Sequence, residues 1–244
     1  MDIKPEILYE DEGIIVCHKE AGVPVQSGRV GEQDMVSILL NYLSEKQQKV
    51  PYLGLIHRLD QPVEGIIVFA KNKKAASDLS RQVSDGTMKK IYLAVCCDSR
   101  RGQNTDDREN VSLVNYLKKD SRTNTSSIVE KNVSGAKRSE LSYRILKKTE
   151  IDQKDYVLAE ITLMTGRHHQ IRVQMAGAGY PLYGDRKYNN EWESYRIKEY
   201  GSDAGAKLAL CAASLEFCHP VSKKVMKFST KPSSEIFTVF SYIL

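Results

Sequence analysis

Short apolar blocks, separated by polar and turn-forming residues, run along most of the chain. Residues 7–19, ILYEDEGIIVCHK, hold two such blocks around Glu10-Asp11-Glu12-Gly13, the pattern of two strands joined by a turn. Ala21-Gly22-Val23-Pro24 breaks it. Asp34 then stands as the N-cap of a helix reaching Leu43, with Met35, Val36, Leu39, Leu40 and Leu43 at helical spacing. After a loop over 57–65, the run GIIVFA predicts a buried strand, and residues 73–84 a helix stopped by Asp85-Gly86. IYLAVCC at 91–97 reads as another apolar strand. Residues 98–110 and 118–137 are poor in apolar side chains and are expected to be long loops or a mobile hairpin. Strands follow at 141–146 and 157–163. Thr165 is placed to cap a helix from about 166 to 178, stopped by Gly179 and Pro181. A short helix at 195–200 and closing strands at 207–217 and 225–229 complete the pattern. No internal repeat interrupts it. Strands outnumber helices, and many connections are too short for parallel crossovers, so the expected class is α+β with a largely antiparallel sheet.

The 244 residues suit one large domain or two small ones, and 41% hydrophobic with 27% charged residues is ordinary for a globular protein. No apolar stretch approaches the ~20 residues of a membrane helix, and Met1-Asp2-Ile3-Lys4-Pro5 carries no signal-peptide core, so a cytoplasmic protein away from membranes is expected. Cys17, Cys96, Cys97, Cys211 and Cys218 form no CxxC pair, which argues against a zinc site or a disulfide framework. The net charge of +5 is compatible with a polyanionic partner but is weak evidence for one.

The five histidines, His18, His57, His168, His169 and His219, fit no metal-binding spacing, so no metal is expected. Phosphate-cradle, dinucleotide and serine-hydrolase motifs are absent too. Two stretches remain: His57-Arg58-Leu59-Asp60, just before the apolar strand, and TGRHHQIRVQMAGAGYPLYGDRKY at 165–188. On a helix from 166, His168 and Arg172 share a face, and Arg172 can offer a permanent cation to a carboxylate. Each residue also has a plain reading: Asp60 as a turn residue, Arg172 as a structural ion pair, Tyr92 as a core aromatic, and His168-His169 as a surface or helix-start pair.

Beyond periodicity, the chain resembles the RluA-type pseudouridine synthases. HRLDQPVEGIIVFAK (57–71) looks like their HRLDxxxxG motif, KKIYLAV (89–95) like the strand with their active-site tyrosine, and LMTGRHHQIR (163–172) like their TGRxHQIR motif. The opening and closing strands, 7–25 and 208–220, are similar as well, so the likeness covers about residues 6–233. Gln61-Pro62-Val63-Glu64 departs from a common Lys-Asp-Thr-Ser, and Cys211 stands where a His is common.

The resemblance implies a single catalytic domain over 1–244, an α+β fold with a mixed, largely antiparallel sheet flanked by helices and crossed by a catalytic cleft. No separate N-terminal RNA-binding domain is expected. It implies a cofactor-free isomerase acting on uridines of ribosomal or transfer RNA, working as a monomer. Asp60 matches the catalytic aspartate, Tyr92 the tyrosine that stacks on the target base and is a candidate to act on its C5 proton, and Arg172 the arginine that pairs with the aspartate. His57, Arg58, Arg167, His169 and Gln170 match positions near the nucleotide, and Lys118, Lys119 and Arg122 are candidates for phosphate contacts. Two other readings stay open: a non-catalytic RNA-binding module on the same scaffold, and a cofactor-free glycosidase or nucleosidase using Glu64 or Asp185 as a second carboxylate.

Overall fold

A computed structural model describes residues 5–29, 31–47, 51–100, 110–190 and 207–240. The chain divides into two compact units, one built from Met1–Lys90 with Ala212–Lys231, the other from Ile91–Cys211 with Pro232–Leu244. Among the described residues no helix is long and apolar enough to cross a membrane.

In the first unit β1 (Glu6–Glu10), β2 (Ile14–Lys19), β4 (Glu64–Ala70) and β10 (Leu210–Cys218) lie side by side. The short β3 (Gly54–Leu55) pairs with β4 and β11 (Val225–Ser229) with β10. The pairs β1/β2, β2/β4, β3/β4 and β10/β11 are antiparallel. Every residue of β4 is buried, which explains its unbroken apolar run. Ile14, Val16, Ile66, Val68 and Ala70 alternate onto one face and pack with Leu215, Phe217 and Met88. Ala75 and Leu79 of α2 (Lys73–Ser84) close that core. Asn72 caps α2, its side chain accepting the Ala75 N–H at 2.9 Å. Asp34 likewise precedes α1 (Met35–Gln47): it accepts the Ser37 N–H at 2.7 Å while Ser37 Oγ accepts the Asp34 N–H at 3.1 Å.

The second unit orders β5 (Lys89–Cys97), β9 (Lys154–Leu163), β8 (Lys137–Ile151), β6 (Val111–Asp120) and β7 (Thr125–Val129) in an antiparallel array. Of the two readings expected over 118–137, a long loop or a hairpin, the hairpin is the one that forms: most of the stretch is the β6–β7 hairpin and the start of β8. Strand β6 gave little signal because Leu117 is the one buried residue in its ten. Strands β8 and β9 also extend well past their apolar centres, joined by Asp152 (φ 49°) and Gln153 (φ 61°), the left-handed pair of a tight hairpin turn. Helix α3 spans Gln170–Gly177, shorter than the 166–178 expected from spacing. Residues 101–109 and the helix expected at 195–200 lie outside the described residues.

Candidate active site

Asp60 belongs to the first unit. It is half-buried at the start of a turn in which its carbonyl accepts the Val63 N–H at 3.0 Å. The turn is fixed from the side by Lys19, whose side chain is wholly buried. Its Nζ donates to the carbonyls of Val23 (2.7 Å), Glu20 (3.0 Å) and Gln61 (3.0 Å). Gly22 and Gln61 add a reciprocal pair of bonds, Gly22 N–H to Gln61 O at 2.8 Å and Gln61 Nε2 to Gly22 O at 3.0 Å. Burial pulls the Lys19 ammonium down to about 8, and the carboxylates of Asp60 and Glu64 oppose that shift. A buried cation thus faces the two acids of this segment, one of them Glu64, itself 2% exposed.

Gly65 explains the glycine after the loop. Its φ is +123°, and a Cβ there would stand 2.4 Å from the Ala212 carbonyl oxygen and 2.6 Å from its nitrogen. No other residue lets β4 start this close to β10.

His57 has a structural task. Its Nε2 accepts the Val68 N–H at 3.4 Å, and loss of hydration, aided by the Lys90 ammonium, pushes the ring down to about 3. The folded protein holds His57 neutral where the unfolded chain protonates it, below about 6.5. Protons then favour the unfolded state, so stability falls as pH drops from 6.5 toward 3. At pH 5 this one ring costs about 2 kcal/mol relative to pH 7. Urea unfolding at pH 7 and pH 5 should show that loss in the wild type and a clearly smaller one in His57→Gln. Equal losses would place the acid sensitivity elsewhere. Arg58, by contrast, is exposed, with Nη2 donating to Gln26 Oε1 at 2.9 Å.

Tyr92 and Arg172 belong to the second unit. Tyr92 is buried on β5 opposite Ile161 of β9. Arg172, on α3, is 5% exposed, and its guanidinium grips Asp185 with two bonds, Nε to Oδ2 at 2.8 Å and Nη2 to Oδ1 at 2.7 Å. Asp185 is 1% exposed and also accepts the N–H groups of Lys187 (2.9 Å) and Tyr188 (3.2 Å). This fork-to-fork geometry fixes the guanidinium plane. From the sequence, Asp185 offers itself only as a second catalytic carboxylate. Nothing in the spacing of Arg172 and Asp185 marks them as partners, because the chain must first fold back through Tyr180 and Leu182.

The segment before α3 is a built turn. Gln170 Oε1 accepts the Thr165 hydroxyl (2.8 Å) and the Arg167 N–H (2.9 Å), while Nε2 donates to Glu140 O (3.1 Å). Thr165 therefore does not cap the helix: its Oγ1 accepts the Glu140 N–H at 2.8 Å and ties the turn to β8. The helix begins after His169, whose φ of 53° is left-handed, so His168 lies outside the helix and shares no helical face with Arg172. His168 stacks on His169 at 3.7 Å and reaches the hairpin through Ser126 Oγ (2.9 Å) and Asn124 Oδ1 (3.1 Å). Desolvation, then the cations Lys119, Lys187 and Arg172, lowers His168 to about 4. Desolvation and Arg172 lower His169 to about 2. Both rings are neutral at pH 7. Arg167 is exposed, its Nε donating to Arg138 O at 3.0 Å. Lys118, Lys119 and Arg122 are exposed on the hairpin. The strand alternation turns Lys118 and Lys119 to opposite faces, and it is Lys119 whose charge is felt by the two histidines.

Residues 13–177 match the family model of RNA pseudouridylate synthases. The chain belongs to this family. The match includes Asp60, Tyr92 and Arg172 and ends before Asp185 and Tyr188. Among relatives, the ribosomal large subunit pseudouridine synthase D of Neisseria meningitidis serogroup B is 30% identical over 98% of this chain and 61% of its own length. The ribosomal large subunit pseudouridine synthase C of Escherichia coli K12 is 31% identical over 91% of this chain and 64% of its own. The chain thus spans under two thirds of the length of these curated relatives. The fold is that of the human RNA pseudouridylate synthase domain containing 4, with a TM-score of 0.72 over 96% of this chain and 90% of that one, at 18% identity. The α+β, largely antiparallel class expected from the sequence agrees with these findings.

Proposed function

We propose that this chain is an RNA pseudouridine synthase acting on uridines of large-subunit ribosomal RNA. The observation that carries the reading is the set of Asp60, Tyr92 and Arg172 inside the segment matched to the synthase family. The names of the Neisseria and Escherichia relatives support ribosomal RNA as the substrate. The reaction breaks the N1–C1′ bond, turns the uracil over and joins C5 to C1′. The C5 proton leaves and N1 gains one, so water is not consumed and electrons balance without a redox partner. Asp60 supplies the ionised carboxylate, either attacking C1′ or taking the 2′ proton. Tyr92 stacks on the extruded base, worth about 1–3 kcal/mol against an unstacking cost of a few kcal/mol. Arg172 supplies a permanent cation. Residues 6–233 act as one catalytic domain, monomeric and cytoplasmic.

Of the alternative acids, Asp185 is gripped by the buried Arg172, and Glu64 is itself 2% exposed beside the Lys19 cation that it shares with Asp60. That leaves the nucleosidase reading without a specific support. The deciding experiment maps pseudouridines in total RNA from a strain with and without the gene. At least one ribosomal site should disappear on deletion and return with the wild-type gene. An unchanged map overturns the reading, and release of uracil by the purified protein favours the nucleosidase.

The hairpin contributes phosphate contacts through Lys119 and Arg122, with Arg167 beside the turn; His57, His169 and Gln170 act by shaping their segments, and Arg58 is the exposed cation of the Asp60 segment. Neutralising Lys119 and Arg122 together should weaken RNA binding and lower the slope of log K against log salt by about 0.7–0.9 per lost contact. Lys118→Ala is the control for the other face of β6. Filter binding at four salt concentrations checks this, and an unaltered slope in the Lys119/Arg122 variant places the RNA elsewhere.

A further inference from the structure

Tyr188 lies beyond the matched segment, yet four parts of the second unit meet on it. Its hydroxyl accepts the Ser126 N–H of β7 at 2.8 Å. The same hydroxyl lies 2.8 Å from Nδ1 of His169, the residue that precedes α3. Its ring meets the His169 ring edge-on, with centroids 5.6 Å apart and planes at 82°. The guanidinium of Arg172 lies 5.1 Å from the centre of the same ring. Its backbone N–H donates to Asp185, the carboxylate that grips Arg172. His169 is neutral at working pH, so its Nδ1 keeps this bond without a charge.

The consequences are mechanical. The hairpin was expected to be loose, but β7 hands a buried backbone donor to Tyr188, and Lys187 Nζ donates to Asn124 O at 2.6 Å in the same turn. Helix α3 has no side-chain cap of its own, and His169 sits in a left-handed conformation that an L-residue adopts at a cost. Something must hold that residue, and the Tyr188 hydroxyl is a group bonded to its ring. An Arg172 that must meet developing charge in a fixed place depends on both ends of this arrangement.

We propose that Tyr188 is a further positioning residue of this site: its hydroxyl ties the β6–β7 hairpin to the His169 turn, its backbone N–H holds the Asp185 carboxylate, and through these two contacts it aims Arg172. This rests on the pseudouridine synthase reading.

The test uses total RNA from a strain lacking the gene, which carries every natural target unmodified, and the purified full chain. Tyr188→Phe deletes the hydroxyl and keeps the ring beside Arg172. The single-turnover rate at saturating RNA should fall about tenfold, while the RNA dissociation constant moves less than threefold. His169→Gly removes the other end of the bond without backbone strain and should give a similar rate loss. His169→Asn tolerates the left-handed backbone, keeps a polar atom where Nδ1 stands, and should retain most of the rate. Tyr188→Phe with His169→Gly should be no slower than the slower single variant. Should Tyr188→Phe fail to fold, the His169→Gly and His169→Asn pair still decides. Four outcomes overturn the inference: an unchanged rate, weaker binding at an unchanged saturating rate, a rate loss that merely follows the folded fraction, or His169→Asn as slow as His169→Gly. A wild-type protein that modifies nothing defeats the synthase reading itself; an active wild type with unaffected variants defeats only the role of Tyr188.

Discussion

Asp60→Asn should reduce pseudouridine formation to background while RNA affinity stays within about 1 kcal/mol of wild type, the scale of one neutral hydrogen bond. The amide keeps the shape of the side chain, and the turn itself is closed by the Asp60 carbonyl and the Val63 N–H, which the substitution leaves in place. What disappears is the charge that must attack C1′ or accept a proton. RNA is gripped chiefly through its backbone and stacked bases, so the loss falls on the chemical step and not on binding. One side effect is foreseeable: Lys19 loses a carboxylate that supports its charged form, so its ammonium titrates below the wild-type value of about 8. Glu64→Gln removes the other supporting carboxylate without touching Asp60 and is the matched control. Pseudouridine yield and filter binding on RNA from the deletion strain measure both variants. A near wild-type rate in Asp60→Asn sinks the mechanism, and a Glu64→Gln protein that folds but is as inactive as Asp60→Asn revives the two-carboxylate alternative.

Sequence periodicity located what burial makes periodic. Strands β2, β4 and β11 and helix α2 are legible because each sets an apolar face against one core. It missed β6, and left the hairpin only as an alternative to a loop, because a strand whose residues mostly face solvent carries no two-residue apolar rhythm. It set the start of α3 too early because the Thr165–His169 turn is held by side-chain bonds to Glu140 and Gln170, and such bonds leave no periodic trace. The candidate acid, aromatic and cation were legible through motif resemblance, not through pattern. Lys19 was missed altogether, since a lysine reads as exposed until three carbonyls are seen around it. Asp185 and Tyr188 were quoted within a motif but their roles were not readable, because each acts through partners brought near only by the folded turn. Asp185 reaches back 13 residues to Arg172, and Tyr188 reaches 62 residues to Ser126.

Arg172→Met should be both inactive and unstable, and the two defects should separate. Removing the guanidinium leaves the Asp185 carboxylate 1% exposed with only the Lys187 and Tyr188 N–H groups as its described partners. Breaking a buried ion pair by deleting one member costs about 3–5 kcal/mol. For a chain of this size that is a fall in Tm of roughly 10 °C. Arg172→Met combined with Asp185→Asn removes the stranded charge, yet the asparagine oxygen still accepts from the two backbone N–H groups. The double variant should therefore recover most of the lost Tm, since a neutral pair in place of a buried ion pair is often close to energetically neutral. Turnover should not return, because the permanent cation is still missing. Melting curves and pseudouridine yield on the single and double variants read the two effects independently. A single variant that melts like the wild type means the pair is not a buried structural contact. A double variant that regains turnover means Arg172 serves the fold alone, and the cation required by the chemistry must come from another residue.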